Sequence, residues 1–124
     1  MAQKILIVED DSFLQGLATT KLEKDGFAVM AAGDSVEASK LLESGAPDLI
    51  LLDLVLPGTD GFGILKKIRE NLATTKTPVI VFSNLSEAED IKKAKDLGAT
   101  EYMVKSNFTL DELSDHIKTL LAQK

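Results

Sequence analysis

Five short runs dense in Ile, Val, Leu, Phe and Tyr, at residues 4–8, 27–31, 49–52, 79–82 and 101–104, alternate with longer amphipathic stretches. No other feature of the chain constrains its fold as much. Each run has the length of a β-strand, and each intervening stretch is long enough for a helix. The runs at 5–8, 49–52 and 79–82 are apolar without polar alternation, as expected of strands covered on both faces in a parallel sheet flanked by helices. These three are therefore predicted to be central.

Helix boundaries are marked by local chemistry. Ser12 with Gln15, Asp34 with Glu37, Ser86 with Glu89, and Thr109 with Glu112 have capping-box spacing, in which one side chain serves a free amide and the other reaches back. Phe108 and Leu113 are spaced as a hydrophobic staple, and Leu113, Ile117, Leu120 and Leu121 continue one apolar face. Gly26, Gly45 and Gly98 stand where left-handed C-caps are wanted. A further helix over about 60–70 turns Ile64, Leu65 and Ile68 inward. The pattern is (βα)5, an α/β fold in a single domain spanning 1–124, with no linker or low-complexity tail.

Composition narrows the function. A chain of 124 residues with net charge −6 and one arginine, Arg69, lacks the basic surface that binds phosphate backbones, so direct nucleic-acid binding is not expected. With no cysteine, no leader-like start and no apolar run of membrane-spanning length, a cytoplasmic protein is expected.

In a parallel sheet with right-handed crossovers the functional site lies at the carboxyl ends of the strands. Here the first strand ends in Glu9 and Asp10, the third in Asp53, the fourth in Ser83 and the fifth in Lys105. Crowded carboxylates repel and resist dehydration, which calls for compensation. A hard divalent cation such as Mg²⁺, held by oxygen ligands, would supply it. Lys105 adds a positive charge and Ser83 a hydroxyl, the groups that bind a phosphoryl group, and Asp53 becomes a candidate nucleophile.

The motifs "ILIVEDD", "DLILLDLVLPGTDG", "PVIVFSN" and "EYMVKS", in that order, resemble the receiver domain of two-component response regulators over essentially the whole chain. The likeness is to the stand-alone, chemotaxis-regulator-like kind. It implies a flavodoxin-like doubly wound sheet of order 2-1-3-4-5 and a phosphorylation-activated switch. It further implies Asp53 as phosphoacceptor, Glu9 and Asp10 as the acidic pair, and Val55 as the residue whose backbone carbonyl completes a Mg²⁺ site. Ser83 and Lys105 would contact the phosphoryl group, with Tyr102 reorienting together with Ser83. The implied donor is a histidine kinase or histidine phosphotransfer protein. The implied output is a protein target on the face formed by the fourth helix, fifth strand and fifth helix, and the implied chain is not a conventional enzyme, since it would catalyse only its own phosphorylation and dephosphorylation.

Several residues have a plainer reading. Asp11 and Asp60 are expected to be helix N-caps, and His116 a solvated helix residue without partners for a zinc site. Tyr102 also suits simple strand packing. Lys92, Lys93, Asp96, Asp111 and Glu112 could pair across a homodimer formed on phosphorylation, or be solvated.

The chain departs from the family pattern at Ser106, where receivers usually carry a cis proline, and at Asn84, where a small residue is usual. A cis bond without proline costs roughly 3 kcal/mol, so a trans bond is expected and the placement of Lys105 is the open point. Val55 and Leu85 are apolar beside the site, which suggests that water is excluded and the phosphoryl group long-lived. Three rivals compete with this reading. A flavin carrier is disfavoured by the acids of "EDDSF", and an aspartyl-phosphate phosphatase by Val55 in place of a second acid. A phosphorylation-independent binding module on the same fold is compatible with Asn84 and Ser106.

Overall fold

The computed structural model describes residues 2–122. Five strands, β1 (Lys4–Val8), β2 (Ala28–Ala32), β3 (Leu49–Leu52), β4 (Val79–Ser83) and β5 (Glu101–Val104), alternate with five helices. These are α1 (Ser12–Lys24), α2 (Ser35–Glu43), α3 (Gly61–Glu70), α4 (Ala88–Asp96) and α5 (Leu110–Ala122). All strand pairs in this sheet are parallel and the order is β2-β1-β3-β4-β5, the flavodoxin-like winding the sequence implied. β2 begins one residue later than expected, at Ala28.

The side-chain period of two sorts the central strands into two cores. Leu6, Val8, Ile50, Leu52, Val79 and Val81 pack with Ala38 of α2, Ile64, Leu65 and Ile68 of α3, and Ala94 of α4. Ile5, Ile7, Leu49, Leu51, Ile80 and Phe82 pack with Ala18 and Leu22 of α1 and Leu113, Ile117 and Leu121 of α5. Strands covered on both faces need apolar residues at every position, which is why these runs do not alternate.

The caps agree with the expected signals in part. Thr109 and Glu112 form the full reciprocal box, at 2.9 and 3.1 Å. Asp34 accepts from Glu37 N–H, while the Glu37 carboxylate accepts from Gly33 N–H, one residue earlier than the box requires. The Ser12–Gln15 box does not form. Asp11 is the N-cap instead, as its plainer reading held, accepting from Phe13 and Leu14, because a carboxylate satisfies two amides at once. The Ser86–Glu89 box is also absent, and α4 starts after Glu87 with no side-chain cap. Asp60 caps α3 through Phe62 N–H. Gly26, Gly45 and Gly98 take positive φ as the C-cap reading requires.

Between β3 and α3 lies a two-residue antiparallel ladder, Val55–Leu56 against Thr59–Asp60, which the strand pattern did not reveal. Pro57 fixes φ at its turn and Gly58 follows at φ 64°. Gly61 closes it, since a Cβ there would lie 2.3 Å from Leu54 Cα.

α5 is fastened to α1 by a polar network. Buried Ser114 donates to Asp25 Oδ2 at 2.5 Å, Lys21 pairs with both Asp25 and Asp111, and Lys118 lies 3.8 Å from Asp25. The charges read as a possible dimer contact are mostly engaged within the chain. Lys92 pairs with Asp96, Lys93 sits over the Phe62 ring at 4.4 Å, Asp111 holds Lys21, and Glu112 caps α5. Nor is His116 simply solvated, since its Nδ1 lies 3.1 Å from Glu101 Oε1 and its ring meets Phe108 edge-on. Among the described residues no helix is long and apolar enough to cross a membrane.

Candidate phosphoacceptor site

The register of the sheet delivers the site. Glu9 N–H donates to Ala32 O and Asp53 N–H to Val8 O, so the hydrogen-bond ladder extends one residue past β1 and β3 and sets both side chains at the carboxyl edge. Glu9 is 4% exposed and Asp53 5%, while Asp10 projects into solvent beside them. Carboxylate oxygens of Glu9, Asp10 and Asp53 all lie within 4.8 Å of one another. Three hard oxygen donors so disposed fit a hard divalent cation.

Lys105 reaches the same point from the end of β5. Its Nζ lies 2.5 Å from Glu9 Oε1 and 2.8 Å from Asp53 Oδ2. Peptide bonds are trans throughout the described residues, and the backbone after Lys105 makes a single 3-10 turn through Ser106 to Asn107. With Ser106 following it, Lys105 reaches both acids.

Burial raises the Glu9 carboxyl above its ordinary pKa, with the Asp53 charge adding to it against the pull of Lys105 and Asp11 N–H. For Lys105 burial acts downward, but hydrogen bonds to Asp53 and Glu9 outweigh it, so the ammonium titrates above its ordinary value. Lys105 is thus a fixed cation at neutral pH, and the two acids are held close by it.

Ser83, fully buried at the end of β4, accepts from Leu85 N–H at 3.3 Å. Its hydroxyl also hydrogen-bonds the Tyr102 side chain. Tyr102, half-buried on β5, donates to Leu85 O at 2.6 Å. Ser83 and Tyr102 therefore both bond to Leu85 and also meet each other directly. Burial, then the charge of Asp90, raises the Tyr102 phenol, which stays protonated and a donor at neutral pH.

Val55 follows Asp53 on the hairpin, and its N–H donates to Asp53 Oδ1 at 3.1 Å. Its side chain is 53% exposed, Asn84 is exposed and Leu85 half-buried, so the rim is open on the Val55 side. Gln15, expected as the capping partner of Ser12, instead donates from Nε2 to Glu9 O at 2.9 Å and steadies the acidic turn.

A family model, the response regulator receiver domain, matches residues 5–118. Sporulation initiation phosphotransferase F of Bacillus subtilis is 34% identical over all of this chain and 98% of its own length. Transcriptional regulatory protein KdpE of Staphylococcus aureus is 38% identical over 97% of this chain and 50% of its own length. The DNA-binding dual master transcriptional regulator RpaA of Synechocystis is 34% identical over 95% and 48%. Among solved structures, a two-component response regulator from Clostridium difficile superposes with TM-score 0.90 at 29% identity, covering 97% of this chain and 96% of that one. Vibrio cholerae chemotaxis protein CheY4 superposes with TM-score 0.89 at 25% identity, covering 96% and 98%.

A parallel sheet of this order, with acids and a lysine gathered at its carboxyl edge, defines a signalling-receiver class of protein. The chain belongs to the receiver-domain family of two-component response regulators, whose members are phosphorylation-activated switches. It spans about half the length of several curated relatives it matches. One of those is named as a DNA-binding regulator, so the expectation of no nucleic-acid contact gains no support from the relatives.

Proposed function

We propose that Asp53 accepts a phosphoryl group from the phosphohistidine of a histidine kinase or phosphotransfer protein. The observation that carries this reading is the convergence of Lys105 Nζ, 2.8 Å from Asp53 Oδ2, with three carboxylates whose oxygens lie within 4.8 Å. An Asp53 carboxylate oxygen attacks phosphorus, the P–N bond to the donor imidazole breaks, and the released ring nitrogen takes a proton.

Lys105 is the fixed positive charge beside the attacking carboxylate and stabilises charge on the transferred group. Ser83 turns its O–H from the Tyr102 side chain toward a phosphoryl oxygen. Mg²⁺, held by the carboxylates of Glu9, Asp10 and Asp53 and by the Val55 backbone carbonyl, supplies charge neutralisation when bound. The chain catalyses its own phosphorylation and the later hydrolysis, and is otherwise not an enzyme.

The signal leaves through Leu85. As Ser83 moves toward the phosphoryl group, the loop bearing Leu85 shifts and Tyr102 follows it, changing the surface formed by α4, β5 and α5. That surface meets a downstream protein, and the domain acts as one unit in the cytoplasm. The likeness to a protein named as a phosphotransferase favours onward transfer of the group as one output.

Intact mass after exposure to acetyl phosphate tests this, with and without Mg²⁺, on wild type and Asp53→Asn. A single Mg²⁺-dependent phosphoryl adduct, lost in the variant, is the expected result. An adduct that persists in Asp53→Asn overturns the assignment of Asp53. A folded protein that takes no adduct from acetyl phosphate or from phosphohistidine donors, and binds no Mg²⁺, favours the phosphorylation-independent module.

A further inference from the structure

We infer that Gln15 is a positioning residue of the proposed cation site: by holding the Glu9 carbonyl it aims the Asp10 carboxylate, and so makes the site select Mg²⁺ over Ca²⁺. The inference deepens the proposed function and rests on that reading for the presence of a cation.

The two acids of the β1–α1 turn are held very unequally. Glu9 is engaged through its main chain and through both carboxylate oxygens. Its N–H donates to Ala32 O at 2.9 Å, its Oε1 faces Lys105 Nζ at 2.5 Å, and its Oε2 accepts from Asp11 N–H at 3.2 Å. Its carbonyl accepts from Gln15 Nε2 at 2.9 Å. Asp10 is exposed, and among the described residues no side-chain hydrogen bond or ion pair holds its carboxylate. Yet one of its oxygens stands within 4.8 Å of oxygens of both Glu9 and Asp53. Something other than a direct partner keeps it there.

The peptide plane supplies the link. The Glu9 C=O and the Asp10 N–H and Cα belong to one rigid planar unit, so fixing the Glu9 oxygen fixes the direction in which Asp10 leaves the turn. Gln15 reaches back to that oxygen from α1, whose own position is set independently. Asp11 caps the helix through Phe13 and Leu14 N–H, and Ala18 and Leu22 bury its inner face against the sheet. Only the amide nitrogen of glutamine can donate to a carbonyl, which assigns the orientation of the Gln15 amide. The bond spans six residues and serves the turn rather than the helix cap.

Selectivity follows from stiffness. Mg²⁺ requires near-octahedral placing of its oxygen ligands, whereas Ca²⁺ accepts irregular sets. Glu9 and Asp53 are buried and clasped by Lys105, so the remaining freedom in the acidic trio is that of Asp10. Groups that orient metal ligands without touching the metal are worth about 10–100-fold in affinity. Loosening Asp10 therefore costs the exacting cation more than the tolerant one.

Gln15→Met is the informative variant, because it keeps the length of the side chain and removes the N–H. Truncation to alanine would instead open a cavity of about 10 Å³ that Gln15 lines with Leu14, Ala18, Glu9, Asp53 and Phe82. Titrating Mg²⁺, and separately Ca²⁺, against the full chain and following the amide shifts of Asp10 and Asp53 gives both affinities without any reaction. The dissociation constant for Mg²⁺ is expected to rise about tenfold and that for Ca²⁺ by less than about threefold. Gln15→Leu is a second variant with the same expectation. Leu22→Ala, which weakens the packing of α1 about two turns away, controls for stability and should leave the ratio of the two constants at its wild-type value. Labelling of Gln15→Met by acetyl phosphate should need about tenfold more Mg²⁺ for half its maximal rate, while the maximal rate stays within about twofold of wild type.

Mg²⁺ affinity unchanged in both Gln15 variants overturns the inference. Equal losses for the two cations do so as well, since a merely structural bond would give that result, and so does the same change of ratio in Leu22→Ala. A wild type that shifts with neither cation fails the metal reading itself, and the inference falls with it. A wild type that binds Mg²⁺ while the Gln15 variants match it removes Gln15 alone and leaves the metal reading standing.

Discussion

Lys105 Nζ stands between Glu9 and Asp53, 2.5 Å from one carboxylate and 2.8 Å from the other, where both acids are almost wholly buried. Removing the cation leaves two dehydrated carboxylates facing each other. Lys105→Met should lower unfolding stability by about 3 kcal/mol at pH 7, measured by urea denaturation. Millimolar Mg²⁺ should raise the midpoint of this variant more than that of wild type, because it then replaces the only counter-charge. An unchanged midpoint would mean that the acids do not depend on Lys105.

Ser83 accepts from Leu85 N–H and hydrogen-bonds the Tyr102 side chain. Ser83→Ala should fold with a loss of about 1 kcal/mol. Its labelling by acetyl phosphate should slow by about tenfold or more, because a donor to the transferred group is gone. Labelling at the wild-type rate would assign Ser83 to packing alone.

Gly61 gives the backbone of Leu54 room to pass. Gly61→Ala places a methyl group 2.3 Å from Leu54 Cα, and the neighbour is main chain, which cannot swing aside. A loss of about 3 kcal/mol is expected. The Asp53 to Val55 turn should be displaced with it, so the rate of adduct formation falls too. A variant with wild-type melting temperature would show that the hairpin relaxes freely.

Asp25 ties α1 to α5. The Ser114 hydroxyl, against a smaller opposing effect of burial, and then Lys21 and Lys118 hold its carboxyl below the usual range. A depressed carboxyl stabilises the fold where it is ionised, above its unfolded pKa of about 3.9, and that stability is lost as pH falls through the lower folded value. Asp25→Asn should therefore melt earlier than wild type at pH 7. The gap should close on acidification below the carboxylate range. A gap independent of pH would assign the effect to packing of the side chain.

Much of this was legible in the chain. The unbroken apolar runs at 5–8, 49–52 and 79–82 announced a doubly covered parallel sheet, and the polar residues that end the strands announced the site. The hairpin over 55–60 escaped because a two-residue ladder has no periodicity to detect, although Pro57-Gly58 is a turn signal in plain view. The expected cap at Ser12 does not form because Asp11, one residue earlier, takes the first-turn amides with a stronger acceptor. The ties of Arg69 to Gly98, Thr74 and Thr77 escaped altogether, since its partners there are backbone carbonyls and leave no trace in side-chain spacing.

The Ser114 to Asp25 bond joins residues 89 positions apart. During synthesis at about 5–20 residues per second, α1 exists for roughly 5–20 s before the helix that covers Ala18 and Leu22 has been made. For that interval its apolar face lies open beside β1 and β3. The domain is consequently a late folder on the ribosome, closing only when its last helix emerges, and chaperone dependence should follow the delay in delivering α5 rather than any weakness of the finished sheet.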